Sequence, residues 1–269
     1  MSELQTNPFG PHTAGIGALS DAADSVLAEP KAGPRPWGPW ATLGWTLLCA
    51  IMLFAIQVAV LLILMAVRLA RGAEVKFDEL ASNSDVVSIG TLGSTVTIVG
   101  SVALLIRWRR YPIRDYLALH KPAARSAVIA FVSLAAMLVT SDLISYLLGR
   151  PLVPDVMVKL YRMAWLPGIL VALMVLAPIA EETLFRGFLY KGIADSRAGP
   201  IVAIITSAVA WATLHFQYDW YGVVTIAVMG IFLGIVRHKT ASLYLTMVLH
   251  AVANSVATLE IVIQEHWLR

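Results

Sequence analysis

The chain is short of everything a water-facing surface needs. Only 14% of its 269 residues are charged, while 58% are hydrophobic. A soluble domain carries about 25% charged and 45–50% apolar residues. There is one cysteine, Cys49, inside an apolar run, which excludes a disulfide framework and a cysteine-based metal site. No His-Glu-x-x-His occurs, which removes the zincin pattern. No Gly-x-Ser-x-Gly occurs, and no phosphate-binding Walker loop, so a serine elbow and nucleotide hydrolysis have no support. No internal repeat supports a transporter built from inverted halves. The formal charge of +3 comes with no basic stripe interleaved with aromatics, so no nucleic-acid partner is implied.

What remains is apolar helix. Residues 1–39 are rich in Gly, Pro, Ala and Ser without an apolar core beside a basic start, and read as a disordered cytoplasmic tail rather than a signal peptide. Residues 40–269 read as one all-α polytopic membrane domain. A span needs about 20 apolar residues, and seven runs are long enough: 43–67, 86–106, 127–148, 166–190, 200–216, 220–236 and 242–263. A count of six to eight around an interior polar cavity is the expectation. The second run is unusually rich in small residues, among them Gly90, Gly93 and Ser94, and Gly230 and Gly234 are four apart in the sixth; both patterns predict close helix crossings. Residues 155–164 fit an amphipathic interfacial helix. The cluster Arg107, Arg109, Arg110 weighs the Lys and Arg bias toward a cytoplasmic N-terminus, so the chain reads as integral to a bilayer.

Two adjacent carboxylates interrupt the fourth run. Glu181 and Glu182 stand at membrane depth, where an ionisable group costs roughly 2.5–3.5 kcal/mol on insertion scales. Glu182 and Arg186 are four apart and share a helix face, which predicts an ion pair. Glu181 points about 100° away and lacks that partner, so it is the better candidate for a protonatable base. Pro178 predicts a kink just before the pair. Two histidines lie in other runs: His215 in the fifth, and His250 in the seventh, four residues before Asn254 on the same face. Imidazole and carboxylate together can activate water, directly or through a metal, and imidazole or amide N–H groups can stabilise an oxyanion. Counting residues along the helices sets Glu181 and His215 on the order of 10 Å apart in depth, an obstacle to their meeting. His12, His120, His238 and His266 look ordinary. Asp142 reads as held by an N–H or by Ser145 near the outer surface.

Three patterns occur in order: Glu181-Glu182-Thr-Leu-Phe-Arg186, Trp211-Ala-Thr-Leu-His215 and His250-Ala-Val-Ala-Asn254. Over residues 166–258 this resembles the type II CAAX prenyl protease and bacteriocin-processing family of intramembrane proteases, in a bacterial-type form. The second motif usually reads Phe-x-x-x-His; tryptophan stands here instead, a change that touches no group of the expected chemistry. The resemblance implies an intramembrane endopeptidase acting on a membrane-associated peptide or protein. Glu181 would activate water with His215 beside it, His250 and Asn254 would stabilise the oxyanion, and Glu182 and Arg186 would orient the site. A metal-free glutamate mechanism fits the spacing better than zinc; a zinc ion would have Glu181, His215 and His250 as its ligands. A non-catalytic, immunity-like or scaffold relative and a proton-coupled carrier are the alternatives.

Overall fold

A computed structural model describes residues 37–76, 80, 83–162 and 166–267. The tail expected over 1–39 lies outside this set except for its last three residues. All regular structure among the described residues is helical. Helix α1 is Pro39–Ala70, with proline at its first position, where a missing N–H costs nothing. Helix α2 is Ser84–Trp108; Asn83 caps it by accepting from the Asp85 N–H at 2.9 Å. A four-residue turn of helix, α3 (Ile113–Tyr116), precedes α4 (Ala124–Leu147). Helix α5 (Asp155–Arg162) is short and amphipathic. A continuous helical run over 166–194 forms α6, followed by α7 (Gly199–Thr213), α8 (Trp220–Thr240) and α9 (Leu243–Trp267).

Six of these, α1, α2, α4, α6, α8 and α9, contain stretches long and apolar enough to cross a membrane. The seventh expected span is α7, and it is shorter than expected. It stops at Thr213 rather than 216, and its fifteen residues rise only about 22 Å against a hydrocarbon core of about 30 Å. Residues 214–218 leave the helix as a tight turn, and His215 lies in that turn rather than in a span.

Hydrogen bonds and ion pairs gather the loops at two opposite ends of the bundle. At one end, the Leu243 N–H donates to the Ala118 carbonyl at 2.9 Å and Ser242 Oγ to the His120 carbonyl at 2.6 Å. Trp37 Nε1 reaches the Leu105 carbonyl, and Tyr190 Oη meets His238 Nδ1 at 2.9 Å. At the other end, Arg150 pairs with Asp219 and Arg162 with Glu265. Successive long helices therefore alternate in direction. Ser145 is not a partner of Asp142: its hydroxyl bonds Tyr221 Oη at 2.9 Å and its own Ser141 carbonyl.

The small residues act where their spacing predicts. A side chain at Gly90 would collide with Gln57 of α1, and one at Gly93 would press on Ile56. At Gly230 an added Cβ would stand 2.9 Å from Ala208 Cβ, and at Gly234 3.0 Å from Ile204, both on α7. Removing Cβ lets the two backbones approach and gain van der Waals contact, which stands in for the hydrophobic drive that lipid does not supply.

Candidate active site

Helix α6 is irregular on both sides of the glutamates. It widens to π geometry over Ala172–Leu176, returns to α over Ala177–Glu182 and widens again over Thr183–Leu189. Pro178 accounts for the first widening. In a π turn the carbonyl of residue 173 takes the N–H of residue 178, and proline has none. The freed Leu173 carbonyl is taken instead by Asn254 Nδ2 of α9 at 2.7 Å, and the Leu176 carbonyl by Thr95 Oγ1 of α2 at 3.0 Å. Beside its proline the helix thus widens and takes two donors from neighbouring helices.

Beyond that segment the two glutamates separate. Glu182 is fully buried, and its Oε1 accepts from Arg186 Nη1 at 2.9 Å and from His250 Nδ1 at 3.1 Å. Arg186 is equally buried; its Nη2 donates to the Gly230 carbonyl at 3.1 Å. That carbonyl is reachable because Gly230 brings α8 close. The Arg186 carbonyl, in the second wide turn, accepts from Arg237 Nε at 3.1 Å. Arg237 is thus not a loop cation; it lies buried in the last turns of α8 over the Tyr190 ring. A buried ion pair is stable only when its remaining atoms find partners; α8 supplies the Gly230 carbonyl and α9 the His250 imidazole, while Glu182 Oε2 and Arg186 Nε are left without a hydrogen bond among the described residues.

Glu181 faces another way and remains partly accessible, its side chain 22% exposed. Its Oε2 accepts from the indole Nε1 of Trp211 on α7 at 2.6 Å, and His250 Nε2 stands 3.8 Å from the same oxygen. The expected depth offset does not arise at this level. Residues 195–198 join α6 to α7 as a hairpin, so residues equally far from the turn stand level. Glu181 precedes the end of α6 by about 20 Å of rise, and Trp211 follows the start of α7 by about 18 Å. His215 is one turn further. Its ring lies edge-on to Trp211 at 5.2 Å between centroids, and its Nδ1 is 3.0 Å from the Trp211 carbonyl.

These contacts fix the imidazole tautomers. A carbonyl only accepts, so His215 Nδ1 carries a proton and the neutral ring keeps its lone pair on Nε2. His250 Nδ1 points at a carboxylate that already accepts from Arg186, so it too is the protonated nitrogen, and Nε2 is the atom nearer Glu181. Tyr218 follows in the turn after α7, its ring 6.1 Å from that of His215. Burial, and after it the charge of Glu181, pushes its phenol up to about 12. It remains a neutral hydroxyl at any physiological pH.

Five of the six residues singled out from the sequence, Glu181, Glu182, Arg186, His215 and His250, join in one network of contacts, directly or through Trp211. Asn254 lies on the same helix as His250, and one of its amide hydrogens is committed to the Leu173 carbonyl. Among the described residues, no three of His, Cys, Asp or Glu are grouped as a metal ion requires.

Sequence reasoning missed Trp211. The exchange of phenylalanine for tryptophan looks neutral if only ring size is considered, yet it places a donor on Glu181. The available signal is that a buried indole N–H needs an acceptor, and Glu181 was a carboxylate without a partner in its own helix. Tyr218 and Arg237 carried no local signal, since turn and loop residues acquire their burial only from packing.

No curated protein and no solved structure matches the chain. Residues 163–256, which hold the glutamate pair, Trp211, both histidines and Asn254, match the family model for the type II CAAX prenyl endopeptidase, Rce1-like. Over that segment this integral membrane chain carries a domain of the type II CAAX prenyl endopeptidase Rce1-like family, a family of proteases.

Proposed function

We propose that the protein is an intramembrane endopeptidase that hydrolyses a peptide bond of a membrane-associated substrate, with Glu181 as the base that activates water. The carrying observation is the division of labour between the glutamates. Glu182 is buried and held by Arg186 and His250, whereas Glu181 is partly accessible and held by one oxygen. A carboxylate so placed can take a proton from water while the resulting hydroxide attacks the scissile carbonyl, then pass that proton to the departing amine. His215 presents its Nε2 lone pair to the same pocket and can hold the water. His250 lies between the two carboxylates and stabilises the oxyanion when both its nitrogens carry protons. Asn254 supports the site first through the wide turn of α6, and its second amide hydrogen is left for substrate.

The substrate enters extended, because a helical segment hides its carbonyls in hydrogen bonds. The end of the bundle carrying Arg107, Arg109, Arg110 and the α6–α7 turn faces the cytoplasm of a bacterial cell, with the N-terminus on that side. No step passes through a metal.

The test is cleavage of membrane-tethered peptides in proteoliposomes. Glu181→Ala abolishes turnover while the protein stays folded; Glu182→Gln retains part of it, and chelation leaves the wild-type rate unchanged. Full cleavage by the Glu181→Ala variant would sink the mechanism.

A further inference from the structure

The indole of Trp211 contacts four side chains of the site, those of Glu181, Arg186, His215 and His250. Its Nε1 donates to Glu181 Oε2 at 2.6 Å. The Arg186 guanidinium lies 4.5 Å from its ring centroid, and the His215 and His250 rings meet it edge-on at 5.2 and 5.1 Å. Its carbonyl holds His215 Nδ1. The ring is almost wholly buried. A phenyl ring, which the family motif usually has here, could keep the stacking contacts but not the hydrogen bond.

We propose that Trp211 is a positioning residue that holds the Glu181 carboxylate in the orientation a base requires, which a phenylalanine could not do. The inference rests on the reading of Glu181 as the base. Indole only donates, so its bond ties Glu181 to α7 through an accepting carboxylate oxygen. It also pins Oε2 and leaves Oε1 to receive the proton from water, which converts a freely rotating carboxylate into an oriented one. The other groups facing Glu181 are Glu182 and Arg186 on α6, His215 and Tyr218 on and after α7, and His250 on α9. Trp211 differs from all of them: among the described residues it is the one hydrogen-bond donor to Glu181. Its loss therefore acts on turnover rather than on substrate binding.

Two measurements test this. In the first, the protein is labelled with 15N-tryptophan in detergent micelles. One of its eight indole N–H signals, assigned by its loss in Trp211→Phe, lies downfield and moves upfield in Glu181→Ala. A signal that does not move between wild type and Glu181→Ala overturns the proposal, whether or not the protein cleaves anything. In the second, cleavage of a tethered fluorogenic peptide in phosphatidylglycerol–phosphatidylethanolamine liposomes is followed against substrate concentration. Trp211→Phe loses about tenfold in kcat with KM unchanged, the scale expected for losing one hydrogen bond to a charged group. A wild type that cleaves, a Glu181→Ala variant that does not, and a Trp211→Phe kcat equal to wild type would overturn the positioning role while leaving the protease reading intact. Wild-type protein that never cleaves, with an indole signal that does respond to Glu181, would instead sink the protease reading and uphold the contact.

Discussion

Helices α1 and α6 both cross the bilayer, but they use their residues in opposite ways. Helix α1 is 32 residues of nearly uninterrupted apolar sequence, and little of it is covered by protein; Leu47, Ile51, Phe54, Leu62 and Ile63 face outward. Helix α6 is less apolar, and nearly half of it is covered. All seven residues of its second wide turn, Arg186 included, are buried. In water the more apolar helix would be the interior one. In a bilayer the order reverses, because lipid accepts apolar side chains while only protein can satisfy a carboxylate, a guanidinium and the loose carbonyls of a wide turn. The most hydrophobic helix is therefore the least informative about function.

Breaking that contrast should cost most at the buried ion pair. Arg186→Met leaves Glu182 buried without its main partner and should destabilise the protein by about 3–5 kcal/mol, read as a shift in the SDS-unfolding equilibrium. Glu182→Gln with Arg186→Met together should recover much of the loss. A single Arg186→Met variant as stable as wild type would mean that the pair is not closed to water. Next is the α7–α8 crossing. Gly230→Ala places a methyl group against Ala208 backbone and Arg186 Nη2 and should cost about 1–3 kcal/mol by overpacking, together with part of the turnover. Asn254→Ala removes the donor on the Leu173 carbonyl and should cost about 1 kcal/mol, with hydrogen exchange accelerated around residues 172–178. On α1 the same kind of truncation should hardly register: Leu62→Ala, on the lipid face, should stay within about 0.5 kcal/mol. A loss there comparable to that at Gly230 would show that α1 has a protein partner in the membrane.

The smallest effect is a pH dependence confined to strong alkali. The Tyr218 phenol has a folded value of about 12 against 10.0 for the free group. Below about pH 10 both folded and unfolded chains keep the proton, and the residue adds no pH dependence. Between about pH 10 and 12 the unfolded chain loses it first, so the folded state binds more protons and stability falls as pH rises. Tyr218→Phe should flatten that part of the stability curve and leave the curve below pH 10 unchanged.

Contacts within one helix were legible from spacing alone; of the contacts between helices, only the close crossings at small residues were. The Glu182–Arg186 pair follows from four residues of separation on a known geometry, and so does the divergence of Glu181 from it. The close crossing at Gly230 and Gly234 followed from small-residue spacing. The wide turn before Pro178 was not legible, because the donor on the Leu173 carbonyl comes from Asn254, 76 residues from the proline in the chain. His215 lies in a turn rather than in a span because α7 ends at Thr213. Its end at Thr213 depends on how the following turn packs, which no local pattern states.

By itself, then, the amino-acid sequence determined that this is a bundle of membrane-crossing helices with a glutamate–arginine pair at depth and a second glutamate left over. Apolar length and helical periodicity are local properties, and a bilayer enforces them strongly. Tertiary structure alone decided what the second glutamate meets. The length of the α6–α7 hairpin sets Trp211 level with Glu181, and the approach of α9 brings His250 between the two carboxylates. A hydrogen bond made or missed within an ångström depends on where three helices stop and how closely they pack, and that information is spread over the whole fold.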